Sequence, residues 1–211
     1  MATIEYHHTQ PEDARTPVSG LGEMHGASFA EDPKHLAFVL ARYLFVSKML
    51  AGKDRVLEIG CGDTTGARIV KPAVGHLEGV DVKAYPNQCI PTQLHDFIEK
   101  PLYPEWDAAY ALDVLEHIPP IAERDFLRNI SASLKIHTGV FIIGTPSLES
   151  QKYASALSQA YHVNCKTEDG LRETLLEHFN NVFAFGQNDT TLHMGFGAMC
   201  HYRMALCVGP K

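Results

Sequence analysis

The 211-residue chain has no long hydrophobic run. Its most apolar stretch, from Leu36 to Leu50, is interrupted by Arg42 and Lys48. It falls short of the ~18 apolar residues that a membrane span needs. Basic charge is scarce as well: 18 lysines and arginines face 25 acidic residues, for a net charge of -7. Broad binding to nucleic acid or to an anionic membrane calls for a basic footprint, so neither partner is expected. Cysteine is sparse and scattered, with Cys61, Cys89, Cys165, Cys200 and Cys207 and no CxxC pair. That pattern excludes a disulfide scaffold and fits reduced thiols in a cytoplasmic protein. The polar, histidine-bearing start from Met1 to Gln10 lacks the apolar core of a secretory signal. There is no internal repeat, low-complexity tract or dividing linker, so residues 1–211 are expected to form one domain.

What is present is alternation. Residues 1–32 carry Pro11, Pro17, Gly20, Gly22 and Gly26 and read as a loop or a lid. Asp32-Pro33 is a helix start, with Asp32 at the cap and Pro33 at the first helical position. Leu36, Leu40, Tyr43, Val46 and Leu50 then recur at helical spacing, giving a leading helix within 33–52 that Gly52 ends. Strands are expected at 55–59, 76–81, 92–94, 106–112, 140–144, 182–185 and 201–208, with helices at 64–70, 121–134 and 168–179. Such alternation implies an α/β fold, a Rossmann-like doubly wound sheet, mostly parallel, with helices on both faces.

The most informative segment is Val56-Leu57-Glu58-Ile59-Gly60-Cys61-Gly62-Asp63, a buried strand running into a glycine turn. Glycines there let backbone and ligand approach closely. The dinucleotide fingerprint wants its third glycine at position 65, where this chain has Thr65 and places Gly66 one residue later. It also seats a pyrophosphate on the helix N-terminus, which the carboxylate of Glu58 would repel. A cationic, phosphate-free nucleoside suits this turn better. The second strand ends in Asp81, about 20 residues beyond Gly60, the position that accepts ribose hydroxyls. Asp96 and Phe97 follow the third strand, suited to an adenine amine and to stacking on the base. Asp113 ends the fourth strand and opens Asp113-Val114-Leu115-Glu116-His117. In open α/β sheets ligands bind beyond the carboxyl ends of the strands, so these acids fall on one rim.

Residues 54–145 resemble the class I S-adenosylmethionine-dependent methyltransferases. Val56–Asp63 is similar to their first motif, Gly79–Asp81 to their second and Asp96–Phe97 to their third. The run Ala111–Ile118 resembles the branch that includes ubiquinone-type O-methyltransferases. Thr64 departs from the pattern, since many relatives carry a glycine there. The resemblance implies about seven strands, the last antiparallel beside the fifth. It implies S-adenosylmethionine as cofactor, held by Glu58, Gly60, Cys61, Gly62, Asp81, Val82, Asp96, Phe97, Asp113 and Val114. Residues 146–211 are then left for substrate-side loops and closing strands.

Methyl transfer to a hydroxyl is helped by a base, and histidine titrates in the useful range. His117, His162 and His193 are the catalytic candidates, beside Asp113. Asp113, Glu116 and His117 raise a second possibility, since some relatives of the ubiquinone type hold a divalent metal with a Glu-His pair in this region; no metal is nevertheless expected, because Glu116 and His117 are adjacent and would diverge by about 100° on a helix. Tyr153, Tyr161 and His162 are candidates for an acceptor wall, as are the polar groups of the 186–197 loop. No Asn-Pro-Pro-Tyr-like motif follows the fourth strand, which lowers the case for N-methylation of DNA bases or protein amides. A small-molecule hydroxyl is expected, on a sugar or polysaccharide precursor or on a phenolic or quinone-like acceptor. Two other readings stay open from sequence: a non-catalytic cofactor-fold module, and a nicotinamide-dependent oxidoreductase, which Glu58 and the glycine spacing oppose.

Overall fold

A computed structural model describes residues 21–211. The first strand explains how its core is arranged. In β1 (Arg55–Ile59) successive side chains point to opposite faces, so Leu57 and Ile59 join one hydrophobic cluster while Val56 joins the other. The same alternation runs through β4 (Ala108–Leu112) and β5 (Val140–Pro146). Phe141 and Ile143 pack on one side, Val140 and Ile142 on the other. Strands buried on both faces belong to a sheet covered by helices on both faces.

Eight strands form that sheet, in the order β3-β2-β1-β4-β5-β8-β6-β7. Here β2 is His76–Asp81, β3 Thr92–Leu94, β6 Phe179–Asn188, β7 Thr191–His193 and β8 Tyr202–Pro210. Strands β1 to β5 pair in parallel, and β8 runs antiparallel between β5 and β6. The expected antiparallel neighbour of the fifth strand is therefore present. The eighth strand is β7, a short edge strand that pairs antiparallel to β6 within the stretch expected to be a loop. Three residues give too short a run for a periodicity to show.

Helix α2 (Pro33–Met49) starts as its sequence dictates, the Asp32 carboxylate accepting the amide hydrogens of Lys34 and His35 at 3.0 and 3.3 Å. It packs with α3 (Ala67–Val70) on one face of the sheet, through Tyr43, Val46, Leu50, Ala67 and Val70. Helices α4 (Glu123–Ala132) and α6 (Glu168–Leu176) cover the other face, through Phe126, Leu127, Ile130, Leu171 and Leu175. Among the described residues no helix is long and apolar enough to cross a membrane.

Three expectations need correction. Residues 23–31 form a helix, α1 (Glu23–Glu31), not a loop. Gly26, which argues against a helix in sequence, is its buried position and lets α1 pack closely. The earlier part of the expected loop or lid, residues 1–20, lies outside the described residues. Second, the 151–164 stretch holds a further short helix, α5 (Ala156–Tyr161), capped by the Ser155 hydroxyl on the amide of Ser158. Third, Trp106 is not in β4. It makes an isolated bridge to Leu134 at the amino end of the strand, 2% exposed and with the Arg55 guanidinium 4.4 Å above its ring.

Candidate active site

The strand order reverses between β1 and β4, and there the chain opens a crevice at the carboxyl ends of the strands. The turn after β1 is drawn tight by the amides of Gly60 and Cys61, both donating to the Val80 carbonyl at 2.8 and 3.1 Å. Gly60 has φ 69° and Gly62 φ 48°, the left-handed region that glycine enters at little cost. Gly60 also has no room for a side chain, since a Cβ there would lie 2.4 Å from Cγ2 of Val114. Thr64, where relatives favour glycine, takes φ 57° although it is β-branched. Its hydroxyl accepts the Cys89 amide at 2.9 Å, which helps hold that conformation.

A cavity of about 150 Å³ sits on this turn. Gly60, Gly62, Asp81, Val82, Asp96, Phe97, Asp113 and Val114, all named from sequence as cofactor candidates, line it. Asp81 does two jobs: Oδ2 accepts the Gly62 amide at 2.9 Å and Oδ1 that of Lys83 at 3.0 Å, so the acid is fixed at the strand end. Asp96 takes the Ile98 amide at 2.8 Å, and the His95 ring stands edge-on to Phe97 at 4.6 Å. Met24, Tyr85, His95, Ile118 and Phe126 also line the cavity and were not foreseen. His95 and Tyr85 flank foreseen acids, a signal the sequence did offer. Met24 comes from α1 and only tertiary folding brings it in.

The remaining two expected cofactor residues, Glu58 and Cys61, are not among the lining residues. In a strand, Glu58 points opposite to Ile59, and Ile59 is the residue that reaches the cavity. Glu58 instead lies under α2 with the phenols of Tyr43 and Tyr110, 2% exposed, and its Oε2 has no hydrogen-bond partner among the described residues. Burial pushes its pKa up to about 8, so at neutral pH it is mostly uncharged. The repulsion of a pyrophosphate therefore does not come from Glu58. The acids that face the cavity without a cationic partner are Asp81 and Asp96, and no lysine or arginine stands among the lining residues. An acid raised in the folded state adds stability at low pH and loses it as pH climbs from the ordinary carboxylate value toward 8. Glu58→Gln should thus match wild type at pH 4 and exceed it, by on the order of 4 kcal/mol, at pH 8.5 in denaturant melts.

Arg42 is the residue that sequence reasoning passed over. It was noticed only as an interruption in the most apolar helix. The structure gives it a purpose: Nη1 bonds both carboxylate oxygens of Asp113 at 2.8 and 2.6 Å, and the guanidinium lies 3.6 Å above the Tyr202 ring. Asp113 itself has φ 58°, so this ion pair holds a strained strand end in place. On the opposite side of the glycine turn Asp63 ties down α1. It accepts the His25 amide at 2.9 Å and meets His25 Nδ1 at 2.7 Å. Burial resists ionisation of Asp63, yet the bonds from His25 and Thr65 outweigh it and hold the carboxyl far below the usual range. The same α1 segment places Met24 against the cavity.

Beyond Asp113 a 3-10 turn, Leu115–His117, carries the candidate catalytic groups. His117 lines the cavity, and its ring centroid is 5.2 Å from that of His162, at the end of α5. The amides of Val163 and Asn164 donate to the Glu116 carbonyl at 2.8 and 3.1 Å, which is how His162 is brought alongside. Burial lowers the His162 pKa, keeping its imidazole neutral. His193 does not join them. It sits on the edge strand β7, its Nδ1 accepting the Gly195 amide at 2.9 Å and its Nε2 3.8 Å from the Cys200 sulfur, and it does not line the cavity.

A glycine turn at the switch point, with strand-end acids around a cavity free of cationic side chains, fits a cationic phosphate-free nucleoside and defines a class I S-adenosylmethionine-dependent methyltransferase. More particularly, residues 29–181 match the family model described as a methyltransferase domain, and the chain belongs to that family. Its cofactor is S-adenosylmethionine, and membership sets aside both the nicotinamide and the non-catalytic readings. Solved structures share the fold. The N-methyltransferase NodS from Bradyrhizobium japonicum is 16% identical with a TM-score of 0.60, over 86% of this chain and 99% of that one. An S-adenosylmethionine-dependent methyltransferase from Thermotoga maritima is 15% identical with a TM-score of 0.63, over 88% and 98%. Human N-acetylserotonin methyltransferase, solved with S-adenosylmethionine, is 17% identical with a TM-score of 0.58, over 87% of this chain and 55% of that one. A search of curated proteins returned no match.

Proposed function

We propose that this chain methylates a hydroxyl of a small molecule, with Asp81, Asp96 and Phe97 gripping the nucleoside of S-adenosylmethionine and Asp113 beneath its methionine part. The observation that carries the acceptor reading is the His117–His162 pair beside the cavity. When bound, the cofactor supplies an activated methyl group, so positioning accounts for much of the rate. An amine attacks once it is neutral, whereas a hydroxyl gains from giving up its proton. A half-buried imidazole whose pKa is lowered by burial, as that of His162 is, is suited to take that proton as the acceptor oxygen takes the methyl. Tyr161, whose carbonyl faces His117 Nδ1 at 3.3 Å, stands on the same side, in keeping with the substrate-side reading of residues 146–211. The run Ala111–Ile118 supports placement near the ubiquinone-type O-methyltransferases, and a phenolic or sugar hydroxyl fits it. The continuous clusters on both faces of one sheet support a single domain. Five free cysteines favour a cytoplasmic setting.

The test is an assay of methyl transfer from labelled S-adenosylmethionine to matched hydroxyl and amine acceptors. Turnover is expected on hydroxyls. His162→Ala should lower kcat by about 10²-fold or more while leaving cofactor affinity within about threefold. Turnover confined to amines, or an unchanged kcat in His162→Ala, overturns the reading.

A further inference from the structure

A neutral imidazole takes a proton only on the nitrogen that does not already carry one. For His162 that nitrogen is decided by what the other one faces. His162 directly follows α5, its amide donating to the Ser158 carbonyl at 2.8 Å, and its ring is half-buried. The ring centroid is 5.2 Å from that of His117, which lines the cavity. On its other side, Nδ1 of His162 lies 3.0 Å from Oε1 of Gln151.

Gln151 belongs to a 3-10 turn, Leu148–Tyr153, that follows β5. That turn is built onto the sheet. The Ser147 amide donates to the His201 carbonyl at 3.0 Å, and the buried Ser147 hydroxyl donates to the Cys200 carbonyl at 2.7 Å. The Leu148 amide donates to the Lys166 carbonyl at 3.0 Å. On this anchored segment the Ser147 carbonyl accepts from Nε2 of Gln151 at 3.3 Å. A carbonyl only accepts, so it turns the NH₂ end of the amide toward Ser147 and leaves Oε1 toward His162. Oε1 only accepts as well, so His162 carries its proton on Nδ1 and keeps its lone pair on Nε2.

We propose that Gln151 is a positioning residue for methyl transfer, holding His162 in the one tautomer whose Nε2 accepts the proton of the acceptor hydroxyl. This rests on the reading of His162 as the base. In that step the hydroxyl proton passes to Nε2, the oxygen forms its bond to the methyl carbon, and the carbon–sulfur bond breaks with its electron pair returning to sulfur. The imidazolium keeps its Nδ1–H on Oε1 of Gln151 and then gives up the Nε2 proton to water. In the other tautomer Nε2 already bears hydrogen and takes no proton. A histidine base is commonly oriented by a third group in this way. Here the third group is a neutral amide. A carboxylate in its place would favour the cationic ring and occupy the base with a proton. The amide fixes the ring without adding charge, in keeping with the lowered pKa of His162.

The experiment labels the histidines of the full chain with ¹⁵N and reads each ring by long-range proton–nitrogen correlation at about pH 8, where an ordinary imidazole is neutral. The His162 signals are those that vanish in His162→Ala. Wild type is expected to carry the His162 proton on Nδ1. Gln151→Leu removes both polar atoms at similar volume. It should move the ring toward the Nε2–H tautomer and lower kcat about 10-fold on the hydroxyl that turns over, with S-adenosylmethionine affinity within about threefold. Gln151→Glu restores an acceptor oxygen and should restore the Nδ1–H tautomer. Circular dichroism checks that each variant is folded, and should Gln151→Leu fail to fold, Gln151→Glu decides. A wild-type ring protonated on Nε2, a tautomer unchanged in Gln151→Leu, or one lost in Gln151→Glu overturns the inference. A chain that methylates hydroxyls through His162, with a tautomer indifferent to Gln151, loses the inference and keeps the hydroxyl reading. A chain whose tautomer depends on Gln151 but that methylates only amines keeps the oriented ring and loses that reading.

Discussion

Asp81→Ala will bind S-adenosylmethionine about 100-fold more weakly than wild type in a calorimetric titration. The carboxylate secures the Gly62 amide at 2.9 Å and so fixes the turn beneath the ligand. It lines the cavity, where its remaining lone pairs suit the two ribose hydroxyls. A hydrogen bond to a charged group is worth about 1.5–3 kcal/mol, so losing the pair of ribose bonds amounts to roughly 3 kcal/mol, or two decades of affinity. Asp81→Asn retains one acceptor oxygen and should lose about one decade. An affinity within about threefold of wild type in the alanine variant sinks the assignment.

Gly60→Ala should cost about 2–5 kcal/mol of unfolding free energy and reduce cofactor binding below detection at millimolar ligand. Two independent terms add. A left-handed φ of 69° costs an L-residue about 1–2 kcal/mol. The new methyl would also lie 2.4 Å from Cγ2 of Val114, an overpacking cost of about 1–3 kcal/mol. Val114→Ala in the same chain removes the second term and leaves the first. The double variant should therefore recover part of the stability, read by urea unfolding. If Gly60→Ala melts with wild type, the close approach of the two strand ends does not constrain this site.

What the sequence revealed of the fold were the features fixed locally. The ends of β1 and β2 fall where expected because apolar runs stop at glycine and aspartate. Helix α2 begins where Asp32 and Pro33 require. What escaped depends on partners distant in the chain. Helix α1 holds its place because Asp63 accepts from His25 and because Gly26 is buried, and neither fact is visible in residues 23–31 alone. Within the site, the acids at strand ends were legible since topology sends every parallel strand end to one rim. Glu58 misled because motif position was allowed to outrank the two-residue period of the strand, which turns it away from Ile59. Arg42 was hidden by the apolar helix around it, and its partner Asp113 stands 71 positions on. His193 could not be separated from His117 and His162 by residue type. The hairpin of β6 and β7 carries it to the sheet edge.

The bridge of Trp106 to Leu134 gives the chain a built-in optical reporter with a defined blind spot. It is the sole indole of the 211 residues, sealed in the core at the amino end of β4, while the cofactor cavity opens beyond the carboxyl ends of the strands. Its emission should therefore stay constant as ligand fills the crevice and shift to the red only when the sheet itself comes apart. Intrinsic fluorescence on this protein is a clock for unfolding, and ligand titrations need another signal.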